Sequence, residues 1–273
     1  MKKSFICLVL SFLIINLFAG IIITRDEQGM ISRELYHNNY FAEIENDLIV
    51  SIWNFNDLTL TLINHPLRIY TTIDFESFKN EMIKQNQAQI NAELRNLDKE
   101  RQKLYADATV TLFKSMRPRF MIVDTTNIQG YKAYEYHIYN GDIKAQKLWI
   151  SRDLQNDIND EVNPINIKKI ESVFKTNRQT YFDAMGIFLD PVSSLVESIE
   201  DIGYVVKRND YGFREKSDKE YEDEVDKVKN EISEIKKSNI DPQIFTKHQK
   251  YQQLDYNSYQ VAVIKAMEKQ LKR

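Results

Sequence analysis

The sequence predicts an α+β fold, and three observations predict it. Turn-forming pairs recur at Asn38-Asn39, Asn46-Asp47, Asn56-Asp57 and His65-Pro66, spaced by 8, 10 and 9 residues. That is the rhythm of consecutive antiparallel strands. Between those turns the apolar residues alternate with period two, with Leu58, Leu60 and Leu62 on one face and Thr59, Thr61, Ile63 and His65 on the other. Helical stripes, by contrast, fall in blocks set between groups of strands rather than between every pair, which separates α+β from α/β.

The elements follow in order. Gly20 to Ile73 reads as a meander of strands. Its turns are carried by Asn and Asp, which tolerate left-handed backbone and bond their own main chain. Asp74 then reads as an N-cap with Glu76 in the first turn. Phe75, Phe78, Met82, Ile90, Leu94, Leu97 and Leu104 form one helical stripe, and Arg117-Pro118 ends it. A helix of that length predicts a bend or break near Ala106 to Ala108. Arg119 to Ser151 is a second β region, with Asn140-Gly141 as a type I′ hairpin turn. Asp153 to Asn163 is polar and acidic and reads as a loop.

Asn163-Pro164 opens a helix with Ile167, Ile170, Phe174, Tyr181 and Met185 on its apolar stripe, ended by Gly186. Asp190-Pro191 opens a shorter one, stopped at Gly203, and Tyr204 to Lys207 is a strand. Residues 214–229 hold 12 charges in 16 positions and read as a solvated arm. Val225, Val228, Ile232 and Ile235 sit at helical spacing, yet strands flank them. Ile244 to Leu254 reads as a last strand, and Asn257 caps a C-terminal helix carrying Val261, Ile264 and Leu271.

Composition removes the common enzyme signatures. The closest of the 7 glycines are nine residues apart, so no dinucleotide fingerprint, P-loop or nucleophile elbow exists. The closest histidines, His37 and His65, are 28 apart, which excludes H-E-x-x-H, and Cys7 is the sole cysteine. A net charge of −3 gives no basic field for nucleic acid. Asp157, Asp160 and Glu161 lack the Gly and closing Glu of an EF-hand loop. The sequence therefore gives no catalytic residue, no metal site and no cofactor, and it reads as a protein that is not an enzyme.

The first residues point to export. Lys2 and Lys3 precede the apolar run Phe5 to Phe18, and Ala19-Gly20 supplies small residues for cleavage. Residues 1–19 read as a signal peptide, which places the mature chain in the periplasm or outside the cell. The rival reading is an uncleaved anchor reaching Ile23. Cleavage removes Cys7, so the mature chain relies on core burial and not on disulfides.

Three blocks carry a family resemblance. The first is Tyr40-Phe41-Ala42-Glu43, Ile52-Trp53-Asn54-Phe55-Asn56, Leu60-Thr61-Leu62-Ile63-Asn64-His65 and Tyr70-Thr71. The second is Ile128-Gln129-Gly130-Tyr131-Lys132-Ala133-Tyr134-Glu135-Tyr136 with Leu148-Trp149-Ile150-Ser151. The third is Ile240-Asp241-Pro242-Gln243-Ile244-Phe245. Together they resemble a family of exported bacterial proteins of unknown function, similar in turn to the outer-membrane lipoprotein carriers of the periplasm.

The resemblance implies an unclosed antiparallel β half-barrel with helices packed on the concave face. Residues 20–273 then form a single half-barrel domain, with a long helix inserted at about 74–116 and the charged arm at about 214–229. It also implies that 225–238 is a strand. An arginine that fixes ligand chemistry in some of those carriers has no matching position here. On such a half-barrel, Trp53, Phe55, Tyr70, Tyr134, Tyr136 and Trp149 are the candidate ligand-binding residues, lining a cavity for a hydrophobic ligand. The expected role is a periplasmic binding or carrier module for a hydrophobic ligand or lipidated partner, lipid or lipoprotein. The alternative is an envelope structural or interaction protein with a filled core and no ligand.

Overall fold

A computed structural model describes residues 19–27, 29–96, 99–185, 190–211 and 230–271. The first meander runs β1 (Ala19–Glu27), β2 (Met30–His37), β3 (Tyr40–Glu45), β4 (Leu48–Asn54), β5 (Thr59–Asn64) and β6 (Ile69–Asp74). Helices α1 (Phe75–Asn96) and α2 (Lys99–Ser115) follow. A second meander begins with β7 (Pro118–Ile128), β8 (Tyr131–Asn140) and β9 (Ile143–Ser151). After α3 (Arg152–Glu161), α4 (Pro164–Met185) and α5 (Pro191–Glu200) it resumes as β10 (Tyr204–Asp210) and β11 (Asn230–Asn239). Two 3-10 turns (Pro242–Phe245 and Lys247–Lys250), β12 (Gln252–Gln253) and α6 (Tyr256–Leu271) complete the described chain.

All these strands join one unclosed sheet in the order β12-β6-β5-β4-β3-β2-β1-β11-β10-β9-β8-β7. The two meanders are sewn together where β1 pairs with β11, Ile23 standing opposite Ile235. Pairing is antiparallel throughout except for β12 against β6. The fold is α+β with an open sheet, as the sequence predicts.

Adjacent residues on a strand point to opposite faces, and each face has its own core. On the inner face, Ile21, Ile23, Tyr36, Trp53, Phe55, Leu60, Trp149 and Val206 pack with Phe75 and Phe78 of α1, Leu154 and Ile158 of α3 and Ile170 of α4. The outer face carries two clusters. Leu35, Ala42, Ile44, Ile52 and Ile63 lie under Ile240 and Phe245. Tyr136, Ile138, Leu148 and Ile150 lie under Val192 and Ile199 of α5 and Met116 after α2. Helices thus cover both faces of the sheet, α1, α3 and α4 on the inner one and α5 on the outer one.

Several sequence expectations are corrected. The acidic segment from Asp153 is a helix, because Ser151 accepts a hydrogen bond from the Leu154 amide and Leu154 and Ile158, one turn apart, are both buried. The break in the long helix is not at Ala106 to Ala108, which lies within α2. Leu97 and the side chains of Leu94 and Leu104 fall outside the described residues. Ile244 to Leu254 is not a strand. Asp241 accepts from the Gln243 amide with Pro242 at the first helical position, which starts a 3-10 turn. Only Gln252–Gln253 then pairs with the sheet. The last helix is capped by Asp255, which accepts from the Ser258 amide, and not by Asn257. Asn140-Gly141 is not type I′, since only Gly141 has positive φ there, which fits a type II′ turn.

Asn38-Asn39 and Asn46-Asp47 do take positive φ at both residues, as I′ turns need. The strand expected at 225–238 is present as β11 from Asn230, against the helical spacing. Residues 1–18, Gly186 and the charged arm lie outside the described residues.

Candidate functional site

Register builds the inner face row by row. Ile21, Tyr36, Phe41, Trp53, Leu60 and Ile73 stand opposite one another across β1 to β6. Two residues along each strand the row reads Ile23, Glu34, Glu43, Ser51, Leu62 and Thr71. The face therefore turns from apolar to polar within one side-chain spacing. The apolar row lies under the helices. Phe78 of α1 meets Trp53 edge-on at 5.5 Å between ring centroids.

The polar row is organised by Glu34. Arg25 Nε donates to Glu34 Oε1 at 3.3 Å, and Tyr36 Oη donates to Oε2 at 2.7 Å. Tyr204 Oη donates to the same Oε2. Arg25 Nη2 donates to the Val205 carbonyl at 2.7 Å, and the guanidinium lies 5.0 Å from the Tyr204 ring centre. Burial pushes both tyrosine hydroxyls up, and the Glu34 carboxylate adds to it. Burial pulls the Arg25 guanidinium down, but Tyr204 and Glu34 outweigh it and its pKa is raised. Each charge in this quartet has a partner, as buried charges require. The group bonds β1 and β2 to the start of β10 across the seam of the sheet. It presents hydrogen-bonded groups and no free nucleophile.

The six predicted site residues do not share one face. Trp53, Phe55 and Trp149 belong to the inner core, each less than a tenth exposed. Tyr70 lies on the outer face beside Phe245 and His248, and Tyr134 and Tyr136 lie on the outer face under α5. Parity separates them: Tyr136 stands opposite Leu148, whereas Trp149 stands opposite Glu135. Sequence reasoning missed Arg25, Glu34 and Tyr204. The signal was available, because Arg25 shares the parity of Ile21 and Ile23, and Glu34 that of Tyr36.

The histidines are more engaged than their positions predict. His65 Nε2 lies 2.7 Å from the Ile49 carbonyl and Nδ1 2.9 Å from Tyr251 Oη. His37 and His248 are buried, and burial holds both below the usual histidine range. Asp157, in an acidic run that lacks an EF-hand loop by sequence, accepts from Tyr131 Oη at 2.6 Å and pairs with Lys237 at 2.7 Å. Among the described residues no group of three His, Cys, Asp or Glu is placed to hold a metal.

Helices α1 and α4 run together over the inner face, joined by Asn86 Nδ2 donating to the Asn177 carbonyl at 2.8 Å. A hollow of about 230 Å³ beside this contact is lined by Lys79, Ile83, Gln87, Val173 and Thr176. A more open one of about 500 Å³ is lined by Met82, Gln89, Phe174, Arg178 and Tyr181. Both lie between helices.

No family model and no curated protein matches the chain. Among solved structures, an uncharacterized conserved protein from Thermus thermophilus is similar with a TM-score of 0.35 and 7% identity, over 90% of this chain and 96% of that one. No helix among the described residues is long and apolar enough to cross a membrane.

Proposed function

We propose that the protein is an exported, non-catalytic interaction module of the cell envelope with a filled core. The observation that carries this reading is the inner face. Trp53, Phe55 and Trp149, the residues that would line a ligand cavity, are occupied by side chains of α1, α3 and α4. The charged quartet beyond them is hydrogen-bonded within itself, and apolar groups stand instead on the surface of α6, at Val261, Ile264 and Met267. The test is extraction of native protein with organic solvent. No released lipid, and no binding of an apolar fluorescent dye, is the expected result. Recovery of one lipid per chain overturns the reading.

A second reading is a periplasmic carrier for a hydrophobic ligand or lipidated partner. The hollows between α1 and α4 favour it, since Ile83, Val173, Met82 and Phe174 offer apolar lining. The resemblance to half-barrel carriers supports it too, with these helices as the lid. Val173→Trp fills the smaller hollow. Under this reading the variant lowers dye binding, and under the first reading it changes nothing.

A further inference from the structure

The sheet ends on one side in β7, a strand of 11 residues paired only with β8 among the described residues. Its outer edge offers a row of main-chain donors and acceptors. Phe120, Met121, Ile122 and Val123 are 46 to 55% exposed there. A long apolar edge of this kind is a template for pairing with another strand.

The side-chain pattern identifies that strand. A bulge between Ile122 and Asp124 makes Val123 an extra residue, so Asp124 stands opposite Glu135 while Met121 stands opposite His137 and Arg119 opposite Tyr139. Directly opposed residues share a face, so Arg119, Met121 and Asp124 all lie on the face of Glu135, His137 and Tyr139. Counted in steps of the ladder, Arg119 and Asp124 are equidistant from Met121. A two-fold axis through Met121 therefore sets Arg119 opposite the second copy's Asp124, twice. It also sets Phe120 opposite the second copy's Ile122, twice, and Met121 against itself. Moving the axis to Ile122 puts Met121 against Asp124 instead, a mismatch.

Asp124 has a local reason to accept this cation. It faces Glu135, a like charge directly across the ladder, which is unfavourable. Glu135 is answered by Lys147 and His137, at 3.6 and 2.5 Å. Among the described residues no cation lies within ion-pair distance of Asp124, whose Oδ1 accepts from the Thr125 amide at 2.7 Å. Arg119 is exposed; its Nε donates to the Gly141 carbonyl at 2.9 Å and its guanidinium lies 4.4 Å from the Tyr139 ring centre, while its terminal nitrogens make only longer contacts, to Asp142 and to Met121 Sδ, both at 3.5 Å.

From this geometry we infer that β7 pairs antiparallel with β7 of a second copy of this chain, joining two sheets across a two-fold axis through Met121. Among the described residues each copy has one such edge, and a two-fold pairing uses it on both copies, so it closes at two chains and does not run on as a fibre. The inference is independent of whether the module binds a ligand or a macromolecule.

Sedimentation of the full chain tests it, with charge reversals that leave the core untouched. Arg119→Glu faces Asp124 with an acid, and Asp124→Arg faces Arg119 with a base. Like charges across an interface cost several kcal/mol, so each variant alone loses at least about 100-fold in self-affinity. Mixed together, the two restore opposite charges at both positions and form a heterodimer. The double variant R119E/D124R also dimerises. A wild-type chain that stays monomeric at its highest soluble concentration overturns the inference. So does a dimer indifferent to the single substitutions, or a mixture that fails to pair while both variants remain folded by circular dichroism.

Discussion

The two edges of the sheet are built on opposite plans. At one edge β12 supplies only two residues, laid parallel to β6. The strap before it, from Ile240 to Tyr251, packs onto the outer face. Phe245 stacks on Tyr40 at 4.7 Å and His248 meets Tyr70 at 4.8 Å. The amides of Gln252 and Leu254 then donate to the carbonyls of Arg68 and Tyr70. The β6 edge is thereby covered, which is how sheets avoid unwanted pairing. At the other edge β7 has 11 residues and no such strap among the described residues. Among the described residues that edge is open and apolar, with Phe120, Met121, Ile122 and Val123 exposed.

The largest expected difference between the two ends is in packing. Phe245 is 6% exposed and Phe120 is 46% exposed. Truncating a buried Phe to Ala costs about 3–5 kcal/mol. Phe245→Ala is expected to cost that much in urea denaturation. Phe120→Ala, made where solvent reaches the ring of the unpaired chain, is expected to cost less than about 1 kcal/mol in dilute protein. Equal losses at the two sites refute the contrast.

A smaller effect comes from the seat of the strap. A Cβ built on Gly20 lies 2.5 Å from Ile240 Cγ1 and 2.8 Å from the Tyr36 carbonyl oxygen. Gly20→Ala therefore has to displace the Ile240 side chain at the start of the strap and press on the Tyr36 carbonyl of β2. Overpacking of this kind costs about 1–3 kcal/mol. Faster amide exchange at Ile244 and Thr246 is the sign that the strap has shifted, and unchanged exchange rejects the contact.

The covered end also responds to acid. His37 and His248 are both held below the histidine reference of 6.5, by burial first, with His65 adding to the effect at His248. Between its folded and unfolded pKa values, such a group binds more protons when unfolded. Its contribution to stability is present above about pH 6.5 and is lost as pH falls through the folded value. The urea midpoint is expected to fall between pH 7.5 and pH 5.5. His248→Phe is expected to flatten that dependence. A midpoint that rises with acidification contradicts the sign.

These regions differ in how far the sequence exposes them. The first meander is legible because Asn38-Asn39 and Asn46-Asp47 form turns through their own backbone preferences, local to the chain. The α+β class follows from the same local signals. The strap is not legible. Ile244 and Leu254 have the composition of a strand, and only the Asp241 cap and the burial of Phe245 against distant Tyr40 make it turn. Leu154 and Ile158 are outvoted by the acids around them, because burial against β1 and β10 is a long-range fact. Five of the six candidate aromatics lie on strands as expected, while Phe55 falls in the turn just after β4; composition alone ignores parity, and parity divides Trp53 and Trp149 from Tyr70, Tyr134 and Tyr136. Arg25 and Glu34 meet only because β1 and β2 pair in one register, and Tyr204 arrives from far along the chain.

The open edge yields the smallest stability effect and the sharpest separation of roles. Ile122 is 55% exposed and its side chain contributes little to the isolated chain. Ile122→Lys is expected to change the urea midpoint by no more than about 0.5 kcal/mol in dilute protein, as for most surface substitutions. The same lysine stands opposite Phe120 of a second copy and puts a charge into the apolar centre of the pairing. Amide exchange along β7 reads this directly. In the wild-type chain the outward amides of β7 are expected to become protected as concentration rises, while those bonded to β8 stay protected throughout. In Ile122→Lys the outward set is expected to exchange freely at every concentration. Outward amides of the wild type that never gain protection make β7 a bare edge and not a pairing strand.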